Sequence, residues 1–202
     1  MEVKLILGIV SSLLIIPQAV PYIRDILRRK TEPHIYSWFI WGTLQMIAAL
    51  SQLKGGAGYG SWALIAGGIF CYTVCILSFR FGTKNITLFD RFCFVASLLS
   101  IGVYLFLENP LWAILFVTCI DLLAFLPTFR KGYQEPHTET ASTFAISALA
   151  NVLSILALQV YSTTTVLYMA VLFATNTIFT VMLLVRRKYM VPRSGIETLL
   201  TA

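Results

Sequence analysis

Seven apolar runs, separated by short polar loops, constrain this chain more than any other feature of its sequence. They cover residues 3–27, 35–53, 61–81, 89–107, 111–129, 143–160 and 164–185. Each is close to the roughly 20 residues that a helix needs to cross the hydrocarbon core of a bilayer. Charged residues make up 12% of the chain, about half of their share in a soluble domain. The sequence therefore predicts an all-α membrane protein with seven transmembrane helices.

Lys and Arg residues are distributed unevenly between the two sides of the predicted bundle. Thirteen of the 15 Lys and Arg residues lie in or beside the polar stretches that follow the first, third, fifth and seventh segments. Only Lys4 and Lys54 lie on the other side. Because basic loops are retained on the cytoplasmic side, we expect an outside N-terminus and a cytoplasmic C-terminus, in a plasma (inner) membrane. The net charge of +6 then reflects the orientation of the chain in the membrane. We do not expect the protein to bind nucleic acid.

The sequence also contains a weak internal repeat. Pro21 and Pro127 are 106 positions apart, and three further pairs keep that spacing: Arg24 with Arg130, Gln45 with Asn151, and Arg80 with Arg186. The repeat groups the segments as 3+1+3, two parallel triple-helix repeats joined by an inversion helix. The predicted units are residues 1–82, a linker helix at 83–109, residues 110–190 and a cytoplasmic tail at 191–202.

Pro21 and Pro127 lie inside apolar segments, where proline removes a backbone hydrogen bond and kinks the helix. Kinks at matching positions of two repeats are typical of helices that move or line a cavity. A static kink that only shapes packing is the alternative, and the sequence leaves both interpretations open. We assign the two prolines as candidate hinges. Pro17, whose counterpart 106 residues on is Leu123, is interpreted as a local feature.

The arrangement of a proline and a basic loop at the inner end of each triplet's first helix resembles the PQ-loop superfamily, which includes the SWEET sugar transporters. From Pro21 the motif continues as Asp25, Lys30-Thr31 and Ser37, and from Pro127 as Lys131 and Ser142. The glutamine of the motif is replaced by Tyr22 and Thr128, and the literal Pro17-Gln18 pair lies one turn early, out of register. The resemblance implies a carrier of a sugar, amino acid or vitamin, or a cargo receptor.

Candidate solute-binding residues are polar or aromatic side chains within the segments: Asn176, Asn151, Gln45, Trp41 and Tyr72. Polar groups in hydrocarbon usually face a cavity or another helix. Asn176 resembles the mid-membrane asparagine with which SWEET-like carriers contact their solute. Bonding between helices remains the alternative for the amides. Trp38 is interpreted as an anchor at the membrane interface.

Asp121 is the only carboxylate well away from a predicted segment end, and no Lys or Arg lies at the same depth. Burial disfavours the charged form of a carboxylate, so we expect Asp121 to retain its proton. It is a candidate proton-coupling group, with a structural hydrogen bond as the alternative. Asp90, beside Arg91, is interpreted as a solvated helix cap.

No catalytic residues, metal ligands or cofactors are predicted. His34 and His137 lie in loops, without a nucleophile motif near them, and the chain is not expected to be an enzyme. We expect a membrane carrier that moves a small polar solute by alternating access between the two triple-helix units, with proton coupling left open. The alternative is a non-transporting seven-helix receptor or membrane assembly protein. The expected partners are the solute and the lipid bilayer, and homo-oligomerisation is left open.

Overall fold

A computed structural model describes residues 2–104, 106 and 110–190, and every regular element within those ranges is helical. The α-helices are α1 (Glu2–Leu13), α2 (Ile15–Leu27), α3 (Ile35–Lys54), α4 (Trp62–Phe81), α5 (Leu88–Tyr104), α6 (Pro110–Gln134), α7 (Ala141–Ala157) and α8 (Thr163–Tyr189). Short 3-10 turns occupy Gly58–Ser61 and Pro136–Thr138. The predicted tail at 191–202 lies outside the described residues.

Helices lie at all seven of the predicted apolar segments, and the first segment is divided between α1 and α2. The interruption falls at Leu14. Pro17 has no backbone N–H and so cannot donate to the carbonyl of Leu13, which accounts for a break at this point. Pro21 and Pro127 both lie inside continuous helices, α2 and α6.

Three helical stretches are long and apolar enough to cross a membrane: Glu2–Leu27, Gly58–Phe81 and Thr163–Tyr189. Helix α7 is apolar but shorter. Large apolar side chains remain exposed on the outside of the bundle, and Ile76 and Phe79 of α4 are 70% and 74% exposed. Contiguous apolar surface of this kind is expected to face lipid or a partner rather than water. The chain therefore has the surface of a membrane protein.

The loops gather at two ends of the bundle. One end, which we call the basic end, is formed by the loops at 28–34, 82–87 and 135–140. There the backbone N–H of Glu32 donates to the carbonyl of Thr138 over 3.1 Å. At the opposite end the N–H of Gln159 donates to the carbonyl of Ala57 over 3.2 Å. Each end thus joins a loop from the first half of the chain to one from the second half.

Helix packing follows the same pattern in both halves of the chain. In the first half, α4 packs against α1, α2 and α3, and in the second half α8 packs against α6 and α7. The halves meet where α1 and α2 contact α7 and where α3 contacts α6. Helix α5 packs mainly on α6 and also contacts α3. The space between the halves holds the candidate site.

Candidate functional site

A cavity lies between the two halves of the bundle, lined by side chains from α1 to α4 and α6 to α8. About 70 Å³ is open to the centres of water molecules, which is room for several waters. Four of the five predicted solute-binding residues line this cavity: Gln45, Asn151, Asn176 and Trp41. Residues that are distant in the sequence are therefore brought together around one space.

Tyr72, the fifth predicted residue, lies elsewhere. Its hydroxyl is 3.1 Å from the hydroxyl of Thr43, and its ring centroid is 6.4 Å from that of Phe39. The preceding residue, Cys71, does line the cavity. Successive residues of a helix point about 100° apart, so Tyr72 is turned away from the cavity that Cys71 faces.

The three amide side chains of the cavity are held by hydrogen bonds but retain capacity for more. Asn151 and Asn176 each donate to the carbonyl one turn earlier in their own helix, over 2.8 and 2.7 Å. Gln45 Nε2 donates to the Sγ of Cys71 over 3.2 Å. An amide has two N–H donors and an acceptor oxygen, so one such bond apiece leaves groups that a solute could use.

Trp38 and Trp41 line the same cavity and are 3% and 5% exposed. The Nε1 atom of Trp41 has no acceptor within the described part of the chain, whereas the indole of Trp38 interacts with the hydroxyl of Tyr22. The interpretation of Trp38 as an interfacial anchor is therefore wrong, because its ring is enclosed by other helices. The two rings form part of the cavity wall, but their Nε1 atoms are enclosed by neighbouring side chains.

Gln18 is a cavity residue that the sequence analysis missed. It is 8% exposed, lines the cavity, and donates from Nε2 to the hydroxyl of Ser147 over 2.7 Å. This bond joins α2 to α7 and so connects the two halves of the chain. A glutamine in the middle of an apolar segment was the available signal, but the 106-residue spacing favoured Pro21 as the repeat's proline.

A hydrogen bond crosses between the halves beside Pro127. The hydroxyl of Ser37 on α3 donates to the backbone carbonyl of Ala124 on α6 over 2.6 Å. The carbonyl that Pro127 leaves without a backbone N–H partner is that of Leu123, four residues earlier, and Ala124 is the next residue of the same turn. The Ser37 hydroxyl thus supplies a donor beside the freed carbonyl, and not to it.

A second bond has the corresponding position beside Pro21. The hydroxyl of Thr143 on α7 donates to the backbone carbonyl of Gln18 on α2 over 3.1 Å. Thr143 is 106 positions after Ser37, and Ala124 is 106 positions after Gln18. Both bonds therefore keep the spacing of the repeat, and both acceptors lie three residues before a matched proline.

Six buried aromatic side chains close the cavity towards the basic end, and we call them the aromatic plug: Tyr22, Trp38, Phe70, Phe125, Phe144 and Phe179. The ring centroids of Tyr22 and Trp38 are 5.0 Å apart, and those of Phe144 and Phe179 are 4.5 Å apart. Close aromatic packing of this kind excludes water. The plug combines side chains from both halves of the chain.

Beyond the plug, a buried ion pair of the second half is hydrogen-bonded to the first half at the basic end. Lys131 Nζ donates to Glu139 Oε1 over 2.7 Å and also to the backbone carbonyl of Glu32. The hydroxyl of Tyr22 donates to Glu139 Oε2 over 3.1 Å. We call Tyr22, Lys131, Glu139 and the Glu32 carbonyl the basic-end latch. Both charged side chains are fully enclosed, so the latch closes this end of the bundle.

Asp90 caps the start of α5, as predicted, because it and Thr87 exchange hydrogen bonds there, but it is fully buried and not solvated as expected. Arg130 binds it through two hydrogen bonds, from Nε to Oδ1 over 3.0 Å and from Nη2 to Oδ2 over 2.6 Å. The backbone N–H of Thr87 also donates to Oδ2. The partner is Arg130 on the packed helix α6, and not the adjacent Arg91, because folding turns Asp90 inward.

His34 lies beside this pair and is itself fully buried. Its Nε2 is 3.4 Å from Asp90 Oδ2, outside hydrogen-bonding alignment. Burial lowers the pKa of His34, and nearby Lys131 and Arg130 lower it further, while Asp90 opposes them. The result is an imidazole that the fold keeps neutral.

Asp121 lies outside the cavity lining, on α6. Its Oδ1 accepts a hydrogen bond from the hydroxyl of Tyr168 over 3.2 Å, and its Oδ2 has no partner among the described residues. Cys71, which lines the cavity, lies within electrostatic range of Asp121. The carboxyl group is thus fully buried near the cavity but is not part of its lining.

No group of three or more His, Cys, Asp or Glu residues within the described ranges could hold a metal ion. The fold and the site define an all-helical protein with a membrane-type surface and a cavity between its halves that is lined by apolar and polar side chains. No family model, curated protein or solved structure matches the chain.

Proposed function

We propose that this protein carries a small polar solute across the membrane by alternating access between residues 1–82 and 110–190. One observation carries the proposal. Amide and indole groups from both halves converge on one cavity, and the aromatic plug and the basic-end latch close that cavity on one side. A cavity between two bodies that is sealed at one end has the geometry that a carrier needs in one of its states.

The internal repeat is part of this proposal, and two kinds of contact support it. The Ser37 and Thr143 hydrogen bonds are related by the same 106-residue spacing. Three lining residues of α3 also have lining residues of α7 at that spacing: Trp38 with Phe144, Trp41 with Ser147, and Gln45 with Asn151. These relationships favour two parallel triple-helix units, with α5 as the inversion helix, in a SWEET-like 3+1+3 arrangement of seven spans.

Opening of the basic end requires the latch and the plug to separate. Lys131 and Glu139 belong to the second unit, whereas Tyr22 and the Glu32 carbonyl belong to the first. A rotation of the units would therefore leave the ion pair intact and break its bonds to the first unit. Pro21 and Pro127 lie at the level of these contacts and serve as the hinges.

Coupling to protons is assigned to Asp121. The Oδ2 atom has no bond within the described part of the chain, and a buried carboxyl is most readily accommodated when it is protonated. Cys71 and Gln45, joined by a 3.2 Å hydrogen bond, lie between Asp121 and the solute cavity. Uptake and release of a proton at Asp121 would then accompany the change of access.

The charge distribution supports an orientation with the basic end in the cytoplasm of a cell with a plasma (inner) membrane. The lysines and arginines concentrate at this end, as expected of cytoplasmic loops. The conformation described here is then closed to the cytoplasm. A carrier in this state would next accept solute from the opposite side.

The proposal is tested by solute exchange in proteoliposomes. Sugars, amino acids and nucleosides are first screened for thermal stabilisation of the purified protein, and each binder is then tested for counterflow of labelled solute. The double variant Pro21→Ala, Pro127→Ala should bind solute but exchange it slowly. A solute that binds the wild-type protein but is never exchanged would favour the receptor or assembly alternative.

A further inference from the structure

We propose that an open cleft at the basic end, separate from the cavity between the halves, binds the phosphate group of an anionic phospholipid. The cleft lies between α2, α7 and α8 and has a volume of about 530 Å³. None of the residues that line it also lines the cavity. The lipid site therefore exists whether or not the protein carries a solute.

The two carboxylates in the cleft wall, Asp25 and Glu139, are already neutralised. Arg24 Nε lies 3.5 Å from Asp25 Oδ1, and the hydroxyl of Thr140 donates to Asp25 Oδ2 over 3.1 Å. Lys131 Nζ lies 2.7 Å from Glu139 Oε1. Because each carboxylate has its own basic partner, neither is left to cancel a further positive charge.

Two more cations line the cleft, Lys30 from the first half of the chain and Arg187 from the second. Lys30 is exposed, and its ammonium group forms no ion pair within the described ranges. Arg187 donates from Nε to the carbonyl of Pro136 over 3.0 Å and from Nη2 to the carbonyl of Glu139. A guanidinium group has five N–H donors, so these bonds hold Arg187 in place and leave donors for an anion.

The start of α7 adds neutral donors to the same cleft. Ala141 and Ser142 form the first turn of this helix, and both line the cleft. No side chain caps the helix, and the first N–H groups of a helix have no acceptor within it. The positive end of the helix dipole also favours an anion. These groups supplement the two cations, which provide the charge of the site.

Apolar surface beside the cleft distinguishes a lipid from a soluble phosphate compound. Ala145 and Leu184 belong to the lining and are exposed, Leu184 to 51%. Val181, about one turn earlier on α8, is 54% exposed. A soluble phosphate compound has no use for this surface, whereas an acyl chain can pack against it. Basic pockets between membrane helices on the cytoplasmic side bind lipid headgroups in this way.

A phosphate group held by both cations joins the two halves of the chain. Lys30 belongs to the first half and Arg187 to the second, and Glu139 of the basic-end latch also lines the cleft. The bound headgroup therefore lies beside the latch and favours the conformation in which this end is closed. Anionic phospholipid should accordingly stabilise the protein against thermal unfolding.

The test titrates the full-length protein in detergent with dioctanoyl phosphatidylglycerol, with dioctanoyl phosphatidylcholine and with glycerol 3-phosphate. Native mass spectrometry counts bound molecules, and the melting temperature is recorded in parallel. We expect phosphatidylglycerol to bind and to raise the melting temperature, and phosphatidylcholine to bind about fivefold more weakly or worse. Equal binding of the two lipids would overturn the proposal. Equal stabilisation by glycerol 3-phosphate would overturn the assignment to a lipid.

Variants locate the binding in the cleft. Lys30→Gln should weaken phosphatidylglycerol about fivefold, and Lys30→Glu should weaken it more than about tenfold, because each basic group contributes similarly to attraction of an anionic lipid. Lys84→Gln is the matched control, since Lys84 is an exposed lysine in a basic-end loop outside the cleft lining. It should retain the wild-type affinity. The melting temperature without lipid reports whether each variant is folded. Equal weakening in Lys30→Gln and Lys84→Gln, or no weakening in Lys30→Gln, would overturn the site.

Discussion

The hydroxyl of Ser37 donates a 2.6 Å hydrogen bond to the backbone carbonyl of Ala124, three residues before Pro127. A helix of one half of the chain thus donates to the turn before the proline of the other half. The bond from Thr143 to the carbonyl of Gln18 does the same beside Pro21. The carbonyls that the two prolines leave without an N–H partner are those of Pro17 and Leu123, so each acceptor is the next residue of the opened turn.

Removal of either hydroxyl should destabilise the protein. Ser37→Ala or Thr143→Val removes one buried hydrogen bond between the halves, and we expect a loss of about 0.5–1.5 kcal/mol. Unfolding of the purified protein in detergent measures the loss. Thr177→Val is the control, because that exposed hydroxyl donates to Phe173 within its own helix. An equal loss in the control would show that the cross-helix bonds have no special role.

The basic-end latch should behave as a coupled buried pair. Lys131→Met leaves the Glu139 carboxylate buried without its counter-charge, and we expect the free energy of unfolding to fall by about 3–5 kcal/mol. Addition of Glu139→Gln should restore much of that loss, because no uncompensated charge remains. Arg24→Met is the control, because it removes an ion pair with Asp25 in which the Arg24 side chain is mostly exposed. It should change the free energy of unfolding by less than about 1 kcal/mol. Additive effects of the two latch changes in unfolding measurements would refute the coupling.

Asp121→Asn should separate coupling from binding. The amide retains the size of the side chain and can still accept a hydrogen bond from Tyr168, but it cannot ionise. An imposed pH gradient should then fail to drive accumulation of the solute in proteoliposomes, while binding and downhill exchange persist. Gradient-driven accumulation at the wild-type level in this variant would make Asp121 a structural hydrogen bonder.

His34 should make the fold sensitive to mild acid. Its folded pKa is lowered from the ordinary value of 6.5, so the unfolded chain binds a proton more readily than the folded protein. This contribution to stability is full above pH 6.5 and is lost as the pH falls through that value towards the lower folded pKa. When the pH is lowered from 7.5 to 5.5, we expect the melting temperature of His34→Gln to fall less than that of the wild-type protein. His137→Gln serves as the control, and a wild-type pH response in His34→Gln would contradict the assignment.

Orientation can be read from labelling of intact cells. A membrane-impermeant maleimide should modify Lys54→Cys at the opposite end and leave Lys84→Cys at the basic end unmodified. Both side chains are exposed, so accessibility from the medium decides the outcome. Gly56 is unsuitable for this purpose, since its φ of 79° strains any other residue. Labelling of Lys84→Cys alone would reverse the predicted topology.

The positions of the helices were predictable from the sequence alone. Apolar runs of about 20 residues can satisfy their backbone in hydrocarbon only as helices, and helices lie at each predicted segment. The 106-residue spacing also identified Gln45 and Asn151, which line one cavity. Helix positions are predictable because length and hydropathy are properties of the chain itself.

Only the tertiary structure decided which way each side chain points and which distant group it meets. Tyr72 was predicted to bind solute, but its side chain points away from the cavity and bonds to Thr43. Gln18 was not predicted, but it lines the cavity. Asp90 pairs with Arg130, 40 positions away, and not with its neighbour Arg91. The rotation of a helix about its axis is set by packing against other helices, and a uniformly apolar segment carries too little periodicity to specify that rotation.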